Sequence, residues 1–185
     1  RRQVLRVALV AAFATRSFLA TFAAHAQVED RIAITTGSVG GVYQPLGDGM
    51  ASLLSRYLPG LRVTAEITQG SVENLKLIGA GKAQVGFSMV DAAWQAARTL
   101  MVLYPNRMQI VTLEGTGIRS LSDLKGRRIA TGAPGSGVEV MALRVLDAMG
   151  IDPGRDIRQE RLGIRRAVAA IRDRKIDLLI NLNGY

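Results

Sequence analysis

The chain has 185 residues, of which 48% are hydrophobic, and its formal net charge at pH 7 is +9. This hydrophobic content supports a buried core and excludes a wholly disordered chain. The sequence contains no cysteine, and its single histidine is His25, so disulfides, thiol catalysis and thiolate metal sites are excluded. The length suits one domain, or one and a half lobes of a larger one.

Residues 1–26 have the pattern of an export signal. A basic start, Arg1 to Arg6, precedes an apolar stretch, and Ala24-His25-Ala26 matches a cleavage site. The leading arginines also resemble a twin-arginine signal. The alternative is an uncleaved anchor, but Arg16 interrupts the apolar stretch, which disfavours a span of about 20 apolar residues. We therefore expect a periplasmic protein that is cleaved near Ala26 and has no imidazole for acid–base chemistry.

The positive charge is distributed unevenly. Residues 1–26 contain four arginines and no acidic residue, so the rest of the chain has a net charge of +5. Much of this excess lies between Arg155 and Lys175. Nucleic-acid surfaces combine such charge with stacking aromatic rings, but no Phe, Tyr or Trp occurs between Tyr104 and Tyr185. The pattern predicts a solvated basic face and no nucleic-acid partner.

Strand and helix patterns alternate along the rest of the chain. Alternating polarity and strand-like apolar runs predict strands at residues 31–36, 62–68, 83–88, 108–113, 127–131, 157–162 and 176–180. Apolar residues at three- and four-residue spacing predict helices at residues 41–58, 71–79, 89–98, 138–149 and 164–174, with a short helical turn at 120–126. In the second helix, Ser71 is the expected N-cap and Asn74 its capping partner. This alternation predicts an α/β fold with mostly parallel sheets.

Three glycine-rich junctions each follow a predicted strand and precede a helix: Gly37–Gly41, the turn at Gly70, and Gly132–Gly137. Because such junctions lie beyond the carboxyl ends of strands, they occupy the edge where α/β folds bind ligands. Helix N-termini there offer unpaired N–H groups to an anion. The alternative is a plain strand–helix connection.

The junctions lack the residues of nucleotide and catalytic sites. Gly132–Gly137 has no following Lys-Ser/Thr, so the phosphate-loop pattern fails. Gly37–Gly41 does not have dinucleotide-binding spacing. Ser136 has no histidine partner and no G-x-S-x-G context. No carboxylate pair stands out, so we expect no catalytic residue, no metal site and no cofactor.

The order of several motifs resembles the TAXI solute receptors of TRAP transporters. The motifs are Ile34-Thr35-Thr36-Gly37, Gly40-Gly41-Val42-Tyr43, Gly70-Ser71-Val72-Glu73-Asn74-Leu75, Leu103-Tyr104-Pro105, Leu121-Ser122-Asp123-Leu124-Lys125-Gly126-Arg127, Pro134-Gly135-Ser136-Gly137 and Ile176-Asp177-Leu178. Together they span nearly all of residues 31–184.

The resemblance implies a periplasmic-binding-protein fold of two α/β lobes, the first at residues 27–114 and the second at 115–185. It implies a receptor that captures a small carboxylate or amino-acid-like solute and delivers it to a TRAP-type membrane permease. The family continues past Gly184, so we expect the second lobe to be incomplete here. Carried over by position, the expected ligand-binding residues are Gly37, Gly40, Gly41, Tyr43, Gly70, Ser71, Asn74, Ser88, Asp91, Pro134, Gly135, Ser136 and Gly137.

Two other functions stay open on the sequence. An exported α/β hydrolytic enzyme would need a base or nucleophile beside the glycine junctions. A ligand-sensing module of a signalling receptor would use the same fold. Arg119 and Arg144 are candidate anion partners only by their proximity to the junctions.

Overall fold

The computed structural model describes residues 30–92 and 97–184. The export signal predicted at residues 1–26 and the centre of the helix predicted at 89–98 lie outside the described residues. Among the described residues, no helix has the length and apolar content needed to cross a membrane.

The first part of the fold is a three-stranded sheet with two helices. Its strands are β1 (Asp30–Thr35), β2 (Leu61–Glu66) and β3 (Val85–Gly86), in the spatial order β2-β1-β3. Helix α1 (Tyr43–Tyr57) connects β1 to β2, and helix α2 (Ser71–Gly79) connects β2 to β3. Strands β1 and β3 are parallel, with Ile34 opposite Val85. The core between this sheet and α1 contains Ile34, Ala51, Val63 and Phe87.

The second part is a four-stranded sheet with two helices. Its strands are β4 (Asn106–Thr112), β5 (Arg128–Ala130), β6 (Arg158–Glu160) and β7 (Leu178–Gly184), in the order β4-β7-β5-β6. Helix α3 (Gly137–Ala148) follows β5, and helix α4 (Ile164–Arg172) follows β6. Strand β5 is parallel to β6 and β7.

Helices α3 and α4 contribute to two separate cores because alternate strand residues face opposite sides of a sheet. Ile129 of β5 belongs to the core that contains Ala142 and Leu146 of α3. The next residue, Ala130, belongs to the core that contains Ala167 and Ile171 of α4. Burying a leucine or isoleucine contributes about 1.5–3 kcal/mol, so these two cores fix where the N-termini of α3 and α4 lie.

The pairing of β4 differs from the sequence-based expectation. Strand β4 pairs antiparallel with β7 along seven residues, from Asn106 opposite Gly184 to Thr112 opposite Leu178. The sequence places this strand in the first lobe, residues 27–114, whereas it lies in the four-stranded sheet. The buried residues of β7, Leu178 to Asn181, explain the pairing, since a buried strand needs hydrogen-bonding neighbours on both edges.

The helix predicted at residues 89–98 is also wrong in its described parts. Only a 3₁₀ turn forms at Val90–Ala92, and residues 97–105 have no regular structure. Residues 97–105 therefore lead into the second sheet as an irregular segment.

An ion pair joins the starts of β5 and β7. The Arg128 guanidinium donates to both oxygens of Asp177, and the Arg128 backbone N–H donates to the same carboxylate at 2.9 Å. These contacts lower the pKa of Asp177 below its usual value. The pair lies away from the carboxyl ends of the strands, so it supports the sheet and not the site.

Candidate functional site

The N-termini of all four described helices meet at one cavity of about 90 Å³. The lining residues at these N-termini are Gly41, Val42 and Tyr43 for α1, Gly70 and Ser71 for α2, Ser136, Gly137 and Val138 for α3, and Gly163 and Ile164 for α4. Each helix follows a strand, so the carboxyl edges of both sheets face the same space. A helix N-terminus carries about half a positive charge and unpaired N–H groups. The cavity therefore concentrates positive potential without a cationic side chain.

The side chains that line the cavity are uncharged. Among the described residues, no Asp, Glu, Lys, Arg or His is part of the lining. The polar lining side chains are hydroxyls and amides: Ser38, Tyr43, Gln69, Ser71, Tyr104, Asn106, Ser136, Asn181 and Asn183. The described part of the chain also contains no group of acidic or histidine side chains that could hold a metal ion.

The junction before α1 turns sharply beside α4. Gly40 has a φ of 89°, which a side chain would strain. The Gly41 N–H donates to the Ser38 carbonyl at 3.0 Å, which closes the turn. Ser38 also packs close to Gly163, where an added Cβ would lie 3.3 Å from the serine hydroxyl. The junction thus brings the first sheet's edge against the N-terminus of α4.

The N-terminus of α2 is organised differently from the expectation. Its N-cap is Gly70, with a φ of 123°, and Ser71 is the first helical residue. The Val72 and Glu73 N–H groups donate to the Gly135 carbonyl at 3.1 and 3.3 Å. These two amides are therefore bound to the other half of the fold and are not free for a solute. Local capping rules missed this arrangement because the partner is more than 60 residues away in sequence.

Asn74, the expected capping partner, is a buried structural side chain. Its Nδ2 donates to the carbonyls of Thr36 and Phe87 at 2.6 and 2.7 Å. Its Oδ1 accepts from the Thr68 hydroxyl at 2.6 Å. The side chain is fully buried and does not line the cavity. Asn74 therefore ties together the ends of β1 and β3 and the loop before α2.

The N-terminus of α3 is capped and closely packed. The Ser136 hydroxyl accepts from the Glu139 N–H at 3.1 Å, as an N-cap should. Glu139 accepts from the Gly135 N–H and from Arg161, so its buried carboxylate is paired. A Cβ at Gly137 would overlap the Met89 sulfur and lie 2.8 Å from Ser71 Oγ. The glycine thus permits close approach of α2 and α3.

The other expected site residues lie outside the lining. Gly40, Asn74, Ser88, Asp91, Pro134 and Gly135 do not line the cavity, whereas Gly37, Gly41, Tyr43, Gly70, Ser71, Ser136 and Gly137 do. Ser88 donates its hydroxyl hydrogen to the Met89 carbonyl. Asp91 pairs with Arg144 at 2.6 Å, which joins the end of β3 to α3. Neither Arg119 nor Arg144 lines the cavity.

Two tyrosines supply neutral hydroxyl groups. The Tyr43 ring stacks on Phe87 with centroids 5.2 Å apart. Burial raises the pKa of the Tyr43 phenol, while the Asn106 and Ser71 side chains partly offset that rise. Burial, together with the nearby Tyr43, raises the pKa of Tyr104 to about 12. Both phenols therefore keep their protons at neutral pH and act as hydrogen-bond donors.

Several lining residues were missed from the sequence. They include Tyr104, Asn106, Leu162, Gly163, Ile164, Asn181 and Asn183. The run Asn181-Leu182-Asn183 directly follows the predicted strand at residues 176–180, and polar residues at that position indicate a ligand edge. The N-terminus of α4 has one glycine and no glycine-rich pattern, so its sequence gave little signal.

Comparisons with known proteins identify the family. The sequence matches the NMT1-like family over residues 34–99 and 94–185. The fold is similar to the alkanesulfonate-binding protein SsuA of Xanthomonas axonopodis pv. citri bound to MOPS, at 23% identity and a TM-score of 0.54, with 82% of this chain and 53% of that chain covered. It is also similar to the binding component of an ABC phosphonate transporter from Pseudomonas aeruginosa, at 14% identity and a TM-score of 0.65. This match covers 84% of this chain and 58% of that chain.

A third similar structure is a Listeria monocytogenes protein assigned to an L-cystine ABC transporter, at 18% identity and a TM-score of 0.56, with 82% of this chain and 69% of that chain covered. The chain spans about half the length of the first two of these structures. The likeness confirms the predicted α/β class with mostly parallel sheets. The chain belongs to the NMT1-like family and has the fold of periplasmic binding proteins.

Proposed function

We propose that this chain is an extracytoplasmic receptor that binds a small organic anion and passes it unchanged to a membrane permease. The observation that carries the proposal is the convergence of the N-termini of α1, α3 and α4, beside the partly occupied N-terminus of α2, on one small cavity whose described lining contains no charged side chain. Positive helix ends attract an anion, and neutral hydroxyls and amides donate hydrogen bonds to it.

The cavity favours a simple anion over a zwitterion. An amino acid would also need a partner for its ammonium group, and a carboxylate is the usual one. Among the described lining residues there is none. A cavity of about 90 Å³ is also well below the roughly 300 Å³ of sites for drug-sized ligands, so the solute has few non-hydrogen atoms.

The similar structures support the transport part of the proposal. One is named for alkanesulfonates and was solved with MOPS, and another is named for a phosphonate transporter. Both names describe organic anions. The periplasmic location, the TAXI assignment and a TRAP-type permease as partner rest on the sequence resemblance and belong to the same proposal.

Calorimetry with methyl compounds of different charge tests the proposal. We expect acetate, methanesulfonate or methylphosphonate to bind at constant ionic strength, and methylammonium not to bind. Val42→Pro removes an N–H at the start of α1, where a φ of −70° suits proline. Because hydrogen bonds to charged groups contribute about 1.5–3 kcal/mol, we expect Val42→Pro to weaken anion binding about tenfold or more.

Val42→Ala is the matched control, since it shortens the side chain and keeps the N–H group. It should bind the anion with an affinity close to that of the original chain. Binding of methylammonium in preference to all three anions would refute the proposal, as would equal affinity in the proline and alanine variants.

A further inference from the structure

Among the described residues, Asn181 is the one buried polar side chain that forms no hydrogen bond with another described residue. It lies on β7, is 8% exposed and lines the cavity. The other buried polar side chains are bonded: Thr35, Thr36, Thr68, Ser71, Asn74, Thr131, Ser136 and Glu139. Each of these side chains has a partner among the described residues, so of the buried polar side chains the Asn181 carboxamide is the one left for an external partner.

The polar atoms of Asn181 border the cavity and are not sealed in the core. No buried side-chain nitrogen or oxygen atom of the described residues is both fully inaccessible and unbonded. The Asn181 amide therefore keeps contact with the cavity space. Its backbone pairs with Gln109 of β4, and its neighbour Ile180 is buried in the core beside α3. The strand therefore fixes the backbone of Asn181 at the cavity wall before any solute arrives.

The chemistry of a carboxamide differs from that of the helix N-termini around it. The N-termini offer only donors, and these suit the anionic group of a solute. A carboxamide offers two N–H donors and one acceptor oxygen. In the described lining, the carboxamide lies beside the N–H donors of the helix N-termini. In the proposed complex, those donors bind the anionic group of the solute. Because no described residue donates to it, the acceptor oxygen can accept a hydrogen bond from a solute, or from a water molecule, that carries a hydrogen to donate.

We propose that Asn181 determines which anion is bound, by selecting a small organic anion that carries a second hydrogen-bonding group such as a hydroxyl. This inference rests on the proposed function. The anionic group then lies against the helix N-termini, and the hydroxyl pairs with the Asn181 carboxamide. A site with a buried polar group rejects the analogue that lacks its partner, because the group is left unpaired.

Matched pairs of anions test the selection. Glycolate is compared with acetate, and isethionate with ethanesulfonate, by calorimetry at constant ionic strength. We expect the hydroxylated member of a pair to bind about tenfold or more tightly than the other. Asn181→Leu should reduce that preference to about twofold or less. Gln109→Leu is the control, since Gln109 lies opposite Asn181 on β4 and does not line the cavity, and it should keep the preference.

A measurement without solute separates a binding role from a structural one. Replacing an unbonded buried amide by an apolar group of similar shape is close to neutral or stabilising. We therefore expect Asn181→Leu to keep or raise the melting temperature, whereas Asn74→Leu should lower it clearly. A fall in the melting temperature of Asn181→Leu as large as that of Asn74→Leu would overturn the inference.

The outcomes distinguish this inference from the proposed function. Binding of both members of a pair with equal affinity, unaffected by Asn181→Leu, would overturn the selection by Asn181 and leave the anion receptor intact. Failure of every anion to bind would overturn both.

Discussion

Two buried asparagines show how one type of side chain serves different purposes at different places. Asn74 forms hydrogen bonds with the carbonyl groups of Thr36 and Phe87, which follow β1 and β3, and with the Thr68 hydroxyl. Asn181 forms none within the described residues and borders the cavity. Burial is similar for both, so the hydrogen-bond partners decide the role. Asn74 holds the site together, and Asn181 remains available to a solute.

Sequence reasoning could find the region of Asn74 but not its task. Its position three residues after Ser71 is the local pattern of a capping box. Its real partners, Thr36 and Phe87, are 38 and 13 residues away. Only the folded sheet brings those carbonyls together, so no local rule contains the information. The glycines at 37, 41, 70 and 137 were predictable because sharp strand–helix turns leave a local pattern.

The donor function of Asn74 leads to a prediction. Asn74→Asp replaces Nδ2 by an oxygen that faces the carbonyls of Thr36 and Phe87. Because the buried charge would keep only the Thr68 hydroxyl as a donor, we expect a loss of at least about 3 kcal/mol in the free energy of unfolding at pH 7. Urea denaturation measures it.

Gln84→Glu provides the matched control for that variant. The Gln84 Oε1 accepts from the Ala33 N–H at 2.9 Å, and glutamate keeps an accepting oxygen at this exposed position. We expect a change within about 0.5 kcal/mol. Equal losses in Asn74→Asp and Gln84→Glu would show that the Asn74 donor bonds are unimportant.

At the level of elements, the strand–helix junctions serve two functions that the sequence does not separate. The junctions before α1 and α4 leave N-terminal groups at the cavity wall. The α2 N-terminus instead donates two N–H groups to the Gly135 carbonyl, so a protein oxygen occupies the position expected for an anion. The junctions before α1 and α2 look alike in sequence, because glycine permits close approach whether the neighbour is a ligand or another loop.

Gly137 tests this second function of the junctions. A Cβ there would lie 2.8 Å from Ser71 Oγ and overlap the Met89 side chain, so Gly137→Ala pushes α2 and α3 apart. Overpacking of this kind costs typically 1–3 kcal/mol. We expect a loss of about that size in the free energy of unfolding or, if the cavity opens instead, in the free energy of anion binding. Thermal unfolding and calorimetry measure the two effects.

Gly49 is the control for Gly137 because it lies within α1 and an added Cβ would have nothing within 4 Å. Gly49→Ala should stabilise the chain by up to about 1 kcal/mol, since alanine favours a helix over glycine. If Gly137→Ala behaved like Gly49→Ala in both measurements, close packing of α2 against α3 would be excluded.

On the scale of the whole molecule, the cavity exists because the edges of two sheets are held face to face. The α/β class and the strand–helix order were predictable from periodicity, which records which face of each element is buried. The pairing of β4 with β7 was not, since periodicity does not say which strands become neighbours. The same holds for contacts between the sheets, such as the ion pair of Asp91 with Arg144.

That ion pair gives a prediction about closure. Asp91 follows β3, Arg144 lies on α3, and their side chains are 25% and 53% exposed. We call a molecule open when the two sheets have moved apart and closed when they are in contact. Exposed pairs contribute at most about 1 kcal/mol, so removing this one should change the ratio of open to closed molecules by no more than about fivefold. We expect Asp91→Asn and Arg144→Gln to increase the open fraction equally, and high salt to have the same effect on the original chain.

A spin-label distance measurement detects this change without a solute. The sequence contains no cysteine, so Lys76→Cys on α2 and Asp147→Cys on α3, both exposed, provide the only labelling sites. The double variant Asp91→Asn/Arg144→Gln should open no further than either single variant, because both remove the same interaction. The exchanged pair Asp91→Arg/Arg144→Asp should restore the original distance distribution. A distribution that is the same in all these variants would mean that packing at Gly135 and Gly137 alone holds the two sheets together.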